Sequence, residues 1–217
     1  MCQNLPQRYS VAEEIANWIT HGLGALLAAA GLAALVAAAV LHGTTVHVVG
    51  SFIFGLSLLV LYASSTLYHA IGNPGAKRVL RRIDHAAIFL LIAGTYTPFT
   101  LVTLRGPWGW SIFGIIWGLA IVGLFFEEAL RRRWVGLSIG LYLLMGWVAV
   151  AAIKPLLEAL PRGGVVLLFA GGLAYSLGTI LYLTRRIPYH HAWWHVAVLA
   201  GSVLHYFAVL LYVIPGG

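Results

Sequence analysis

The sequence predicts an all-α integral membrane protein, a bundle of seven transmembrane helices with its N-terminus in the cytoplasm and its C-terminus outside. Of the 217 residues, 61% are hydrophobic and 9% are charged, whereas a soluble domain carries roughly 25% charged residues. The apolar residues form seven runs of about twenty residues or more, each long enough to cross a hydrocarbon core about 30 Å thick. The basic residues lie mainly in every second segment that connects these runs, that is, on one side of the membrane.

The seven predicted spans are separated by short segments with turn or charge signals. Gly72-Asn-Pro-Gly precedes the third span and Arg185-Arg-Ile-Pro precedes the seventh, and Gly and Pro interrupt regular helices. No segment is left for a soluble domain, so we predict a single membrane domain over residues 1–217. The spans cover residues 15–41, 46–70, 83–104, 108–126, 134–153, 163–184 and 191–214.

The orientation follows from the basic residues. Ten of the 13 Lys and Arg residues lie in the N-terminal arm and in the second, fourth and sixth loops. The positive-inside rule therefore predicts a resident of the inner (plasma) membrane with a cytoplasmic N-terminus. The net charge of +7 reflects this topology. We expect membrane lipids as partners and no nucleic acid, because no domain organises the basic residues into one surface.

A pair of histidines begins the seventh span, in the sequence His191-Ala-Trp-Trp-His195. One helical turn places both rings on the same face, as a pair of metal ligands requires. The predicted topology brings His69, at the end of the second span, and Asp84, at the start of the third, to the same cytoplasmic depth. Four polar groups from three separate segments therefore converge.

These residue types are suited to a zinc site. Neutral imidazole is a Zn²⁺ ligand, and three protein ligands with an open fourth position are typical of a catalytic site. We predict His69, His191 and His195 as the ligands. Asp84 would orient a ligand or accept a proton from the zinc-bound water, whose pKa zinc can lower to about 7. Ser65, one turn before His69, would hydrogen-bond to Asp84 or to the ligands.

Each residue alone has another interpretation. The histidine pair could lie among the tryptophans of a membrane interface. Ser65 could pack one helix against another, and Asp84 could form an ion pair with Arg81 or Arg82. The convergence of all four groups favours the metal site over these alternatives.

The first span carries a polar stripe of Glu13, Asn17 and His21, spaced four residues apart and therefore on one helical face. This span also begins on the cytoplasmic side, so we expect the stripe to line the cavity around the predicted metal site. Its side chains would support that site or pack the helix.

Two further histidines are expected to lie apart from the metal. His85 is about 100° around the helix from Asp84, so we expect it to point away from the pocket of Asp84. His205 is ten residues past His195, about 15 Å further into the membrane, and an interhelical hydrogen bond is its expected role.

The motifs occur in an order that resembles a known family over about residues 10–215. The resemblance is to the bacterial hemolysin III family, the prokaryotic branch of the progestin and adipoQ receptor superfamily, to which the adiponectin receptors belong. The motifs are Glu13-Glu-Ile-Ala-Asn-Trp-Ile-Thr-His21, Ser65-Thr-Leu-Tyr-His69, Arg82-Ile-Asp-His85, Gly94-Thr-Tyr-Thr-Pro98, His191-Ala-Trp-Trp-His195 and Gly201-Ser-Val-Leu-His205.

The resemblance implies a seven-helix membrane protein with an inward N-terminus and a zinc ion near the cytoplasmic face. It implies His69, His191 and His195 as zinc ligands, with Asp84 and Ser65 at the positions of the family's aspartate and motif serine. Related proteins are linked to hydrolysis of ceramide-type lipid amides. Bacterial members are linked to membrane lipid homeostasis and, by name, to haemolysis.

Three functions fit these observations. The chain is a zinc-dependent hydrolase of a lipid amide or ester, or a sensor or regulator of membrane lipids with a structural zinc, or a cytolysin. The fourth coordination position of the zinc ion distinguishes the first two, because a catalytic zinc keeps that position open. A secreted cytolysin must stay soluble before insertion, which seven apolar spans disfavour. Glycine-rich faces within residues 50–55 and 136–140 suit packing within one chain or between two, so the oligomeric state stays open.

Overall fold

The computed structural model describes residues 9–133 and 135–215. Arg8 of the N-terminal arm and Trp134, the predicted first residue of the fifth span, lie outside these residues. The regular structure within the described ranges is entirely helical. The predicted all-α fold class is confirmed.

Eight α-helices follow one another along the described chain. Their bounds are α1 Val11–His42, α2 Thr45–Ala70, α3 Pro74–Pro98, α4 Gly106–Arg133, α5 Val135–Trp147, α6 Ile153–Ala159, α7 Arg162–Leu183 and α8 His190–Ala208. Shorter helices of other types continue three of them, namely the π-helical turns Phe99–Leu104 and Val209–Val213 and the 3₁₀ turn Val148–Ala152.

Seven of the resulting segments are long and apolar enough to cross a membrane, which confirms the predicted number of spans. The third span combines α3 with the following π turn, the fifth combines α5, the 3₁₀ turn and α6, and the seventh combines α8 with the last π turn. The seven spans are Val11–His42, Thr45–Ala70, Pro74–Leu104, Gly106–Glu127, Gly136–Ala159, Arg162–Leu183 and His190–Val213.

Two helices begin earlier than the apolar runs because polar residues cap them. Ser10 and Glu13 form a capping box, in which the Ser10 amide donates to the Glu13 carboxylate and the Glu13 amide donates to Ser10 Oγ. Asn73 accepts hydrogen bonds from two amides of the first turn of α3, and Pro74 occupies its first position. We had predicted the basic segment 77–82 to be a loop, and this was wrong, because the segment is part of α3.

Two other helices extend beyond the predicted limits. The fourth span was expected to end at residue 126, but α4 continues to Arg133. The fifth was expected to end at residue 153, but α6 continues to Ala159 after the 3₁₀ turn. Pro155 lies in the first turn of α6, where a missing backbone N–H is tolerated. Apolar composition therefore locates the spans better than their ends.

The helices pack around a core in which α1, α2, α3 and α8 meet. α2 lies between α1 and α3, and α7 packs along α8. Leu35 of α1, Phe54 of α2 and Val198 of α8 belong to one buried apolar cluster. A second cluster, around Phe89 and Ile116, joins α3 to α4. This arrangement brings the last turn of α2 and the first turns of α8 beside the start of α1.

Candidate metal centre

Three buried histidines meet where α2 ends and α8 begins. His69 is in the last turn of α2, and His191 and His195 are in the first two turns of α8. One ring nitrogen of each lies within 4.8 Å of a ring nitrogen of the others. The ring centroids are 5.1 Å apart for His69 and His191, 5.2 Å for His69 and His195, and 4.5 Å for His191 and His195. The structure thus brings all three predicted ligands together.

Glu14 of α1 orients the ring of His69. Its Oε2 is 2.6 Å from His69 Nδ1, and its Oε1 is 2.7 Å from Lys77 Nζ of α3. The carboxylate accepts, so Nδ1 carries the proton and Nε2 retains its lone pair. His69 Nε2 is buried and has no hydrogen-bond partner in the described part of the chain. Such a carboxylate–histidine pair is typical of metal sites, where it fixes the tautomer and ring orientation of the ligand.

The ring of His195 is held in the same way by the next turns of α1. Its Nδ1 is 3.2 Å from the carbonyl oxygen of Asn17 and 3.1 Å from Thr20 Oγ1. A carbonyl oxygen only accepts, so Nδ1 donates and Nε2 has the lone pair. Both ring nitrogens of His191 are buried without a partner among residues 9–133 and 135–215. The three side chains therefore offer a metal ion three neutral imidazole nitrogens.

The donor set fits a metal ion on chemical grounds. Buried polar atoms are normally hydrogen-bonded, and an unpartnered atom calls for an explanation. Here one ring nitrogen of each histidine lies within 4.8 Å of one from the others, and the contacts to Glu14 and to the Asn17 carbonyl fix two of the three tautomers. Neutral imidazoles suit zinc and several other first-row ions.

Asp84 and Ser65 lie beside this cluster. Both line a cavity of about 160 Å³ that is also lined by His191 and His195. A carboxylate oxygen of Asp84 is 3.4 Å from Nδ1 of His85. Ser65 Oγ interacts with the Asp84 carboxylate, the partner that the sequence predicts for it, although the contact falls outside regular hydrogen-bond geometry. Both residues are placed where they can contact a molecule in the cavity.

Two expectations about neighbouring residues were wrong. His85 lines the same cavity as Asp84, because a 100° offset still leaves both residues within one half of the helix circumference. Glu13 does not line the cavity, since its exposed carboxylate closes the capping box with Ser10. Asn17 and His21 of the predicted stripe are buried, and His21 lines the cavity whereas Asn17 does not. The acidic residue that faces the cluster is Glu14, which the sequence analysis did not single out.

His21 adds a fourth imidazole next to the cluster. Its ring stacks on that of His195 with centroids 3.5 Å apart and an angle of 14° between the planes. It also lines the cavity, and neither of its nitrogens has a hydrogen-bond partner in the residues that the structure describes. His21 therefore offers a further polar atom close to the three candidate ligands.

Tyr9, just before α1, covers the cluster on the side of the helix ends. Its ring centroid is 5.0 Å from that of His191 and 6.1 Å from that of His69. Burial raises the pKa of the Tyr9 hydroxyl, so the side chain stays neutral at physiological pH. An uncharged aromatic ring thus closes this side of the cluster.

His205 makes the interhelical hydrogen bond that its position predicted. Its Nε2 donates to the carbonyl oxygen of Leu168 on α7 over 2.9 Å. The ring also lines the cavity at a point remote from the metal cluster. The cavity therefore extends from the helix ends toward the middle of the bundle.

The sequence profile of the family described as Haemolysin-III related matches residues 9–206 of the chain. The chain is 49% identical to Hemolysin-3 of Bacillus cereus over 205 residues, which are 94% of each chain. It is 47% identical to the Hemolysin-3 homolog of Bacillus subtilis, covering 94% of this chain and 96% of that protein.

A more distant similarity is to the human Monocyte to macrophage differentiation factor, at 26% identity over 92% of this chain and 84% of that protein. No solved structure is significantly similar to the chain. The profile match covers most of the chain, from before the first span to within the seventh. The chain belongs to the Haemolysin-III related family and is a multi-pass protein of the cell membrane.

Proposed function

We propose that the chain is a zinc-dependent hydrolase of a lipid amide or ester that acts in membrane lipid homeostasis. The observation that carries the proposal is a cluster of three buried imidazoles, two of which line an intramembrane cavity that also holds a carboxylate, Asp84. An ionisable side chain inside a membrane bundle is costly and commonly marks a functional site.

His69, His191 and His195 would hold the zinc ion. When bound, Zn²⁺ acts as a Lewis acid toward a carbonyl oxygen and activates water at neutral pH. Glu14 orients His69, and the Asn17 carbonyl and Thr20 orient His195. These contacts hold the two imidazoles in the tautomer that binds a metal before the metal arrives.

Asp84 and Ser65 would act on the substrate. Asp84 is the carboxylate on the cavity wall that can accept a proton from water during attack on a carbonyl carbon. Ser65 Oγ is buried beside the Asp84 carboxylate, so its hydroxyl can hydrogen-bond to Asp84 or to the substrate. The remaining wall is largely apolar, with Leu61, Ile88 and Val198 among its residues. Such a wall suits a lipid chain and excludes bulk water.

Hydrolysis is tested with the purified protein in lipid nanodiscs and a ceramide carrying a labelled acyl chain. Release of the labelled fatty acid by the zinc-loaded protein is the expected result. Asp84→Asn should lower the rate about 10²-fold or more while zinc stays bound, because it removes the proton acceptor and retains the side-chain shape. Equal rates for the two proteins would contradict the assigned role of Asp84.

A structural zinc in a regulator of membrane lipids is the second candidate. The stacking of His21 on His195 supports it, because neither nitrogen of His21 has a partner among the described residues and the ring lies close to the candidate ligands. A fourth protein ligand would close the coordination sphere, as in structural zinc sites. We do not propose pore formation, although two relatives carry haemolysin names, because all seven spans are apolar enough for a resident membrane protein.

A further inference from the structure

The cavity that begins at the candidate metal centre meets a second, smaller cavity of about 50 Å³ deeper in the bundle. His205 lies at the meeting point, ten residues after His195 and therefore about 15 Å further along α8. We call this meeting point the junction. The residues that line both cavities and define it are Thr95, Tyr96, Gly146, Trp147, Gly172 and His205.

The side-chain hydrogen-bond donors of the junction are already used by the protein. Thr95 Oγ1 donates to the carbonyl oxygen of Leu91 over 2.7 Å. The Tyr96 hydroxyl donates to the carbonyl oxygen of Gly146 over 2.9 Å. Trp147 Nε1 donates to a serine hydroxyl over 3.1 Å. These groups have no hydrogen left for a molecule in the cavity.

His205 presents an acceptor at the same place. Its Nε2 is committed as a donor to the carbonyl oxygen of Leu168, so the neutral ring has its lone pair on Nδ1. This Nδ1 has no partner in the described part of the chain, and the residue is only 6% exposed. Thr95 Oγ1 adds further lone pairs. The junction therefore offers acceptors and lacks a free side-chain donor.

We propose that the junction binds a hydroxyl group carried on the hydrocarbon chain of a lipid, with His205 Nδ1 as the acceptor. An unsubstituted chain leaves this buried acceptor unpaired, and an anionic group brings only further acceptors. A water molecule satisfies it poorly, because buried waters make about three hydrogen bonds and need donors as well as acceptors. The inference rests on the proposed function, because the proposed function is what places the acyl end of that lipid at the metal centre.

The test compares two fatty acids that differ by one mid-chain hydroxyl, oleic acid and ricinoleic acid. Each competes with tritiated palmitic acid for the zinc-loaded, detergent-purified protein. We expect ricinoleic acid to bind about tenfold more tightly, the ratio that corresponds to about 1.4 kcal/mol. Ricinoleic acid methylated on its hydroxyl retains the oxygen but cannot donate, so it should bind no more tightly than oleic acid.

Substitution of the acceptor should remove this preference. In His205→Phe, a ring of similar size replaces the imidazole, and the ratio of the two affinities should fall to about one. The ratio is measured within one variant, so a general loss of folded protein does not alter it. His47→Phe is the matched control, because His47 is buried but lines neither cavity, and it should retain the preference.

The outcomes separate this inference from the proposed hydrolysis. Equal binding of the two fatty acids by the wild-type protein, or a preference that survives in His205→Phe, would overturn the inference and leave hydrolysis untouched. A preference that is lost in His205→Phe, in a protein that cleaves no lipid amide or ester, would support the junction and overturn the hydrolase.

Discussion

Glu14 Oε2 accepts a hydrogen bond of 2.6 Å from Nδ1 of His69, and the same carboxylate pairs with Lys77. The contact joins the first turn of α1 to the last turn of α2. It leaves Nε2 of His69 as the nitrogen that can bind a metal ion. The start of the first helix therefore controls the orientation of a candidate metal ligand on the second.

Glu14→Gln should weaken zinc binding about 10-fold to 100-fold, the usual effect of removing a carboxylate partner from a ligating histidine. Affinity is measured by competition with a zinc-chelating dye on the purified protein. Glu13→Gln is a matched control, because the Glu13 carboxylate bonds to Ser10 of the helix cap and interacts with the Tyr189 backbone and His190, not with His69. Equal losses in the two variants would show that the carboxylate of Glu14 has no specific effect on His69.

Tyr9→Ala should increase the rate at which a soluble chelator extracts the metal, because the ring covers His191 and His69. Tyr9→Phe retains the ring and should release metal at the wild-type rate. The hydroxyl is neutral in the folded protein, so its loss removes no charge. If extraction is equally slow from Tyr9→Ala, the metal leaves by another route.

His21→Phe distinguishes an open coordination sphere from a closed one. If zinc has three protein ligands, the variant should retain one zinc per chain, since the stacked ring is replaced by another of similar size. Metal content is measured by plasma mass spectrometry, with His47→Phe as a control for loss of a buried histidine. Loss of zinc from His21→Phe alone would identify His21 as a ligand and favour the structural role of the metal.

The close contact of α2 with α3 depends on a missing side chain at Gly94. A methyl group there would overlap Ser57 and approach the carbonyl oxygen of Ile53. Gly94→Ala should therefore destabilise the bundle by about 1–3 kcal/mol, the usual cost of overpacking. Thermal unfolding in detergent measures the effect. Gly118→Ala is the control, because nothing lies near its added methyl group. An unchanged midpoint of thermal unfolding in both variants would contradict the close packing of α2 against α3.

Most of the candidate site could be predicted from the sequence, but the contacts that support it could not. His69, His191 and His195 could be predicted because helical spacing and charge-based topology place them at one depth. Glu14 was missed, although its spacing from Asn17 and His21 matches one face of a 3.6-residue helix. The four-residue spacing favoured Glu13 instead, which the cap at Ser10 holds outside the cavity.

The junction could not be predicted from the sequence for a different reason. His205 was expected to make an interhelical hydrogen bond, and it does. Its Nδ1, unpartnered in the described part of the chain, suggests a binding site only together with the two hydroxyls of α3 and the indole N–H of α5, whose protons are donated elsewhere. Such a balance of donors and acceptors depends on tertiary contacts that no local pattern specifies.

Helix ends were missed similarly, because caps extend helices beyond the apolar runs.

The most direct measurement is the metal content of the detergent-purified protein, prepared without chelators, by plasma mass spectrometry. We expect about one zinc per chain in the wild type and in His47→Ala, because His47 lies outside the cluster of candidate ligands. His69→Ala and His191→Ala should each lose the metal, because each removes one of three ligands. A wild-type protein without zinc, or variants that retain it in full, would contradict the metal centre on which the proposed hydrolysis depends.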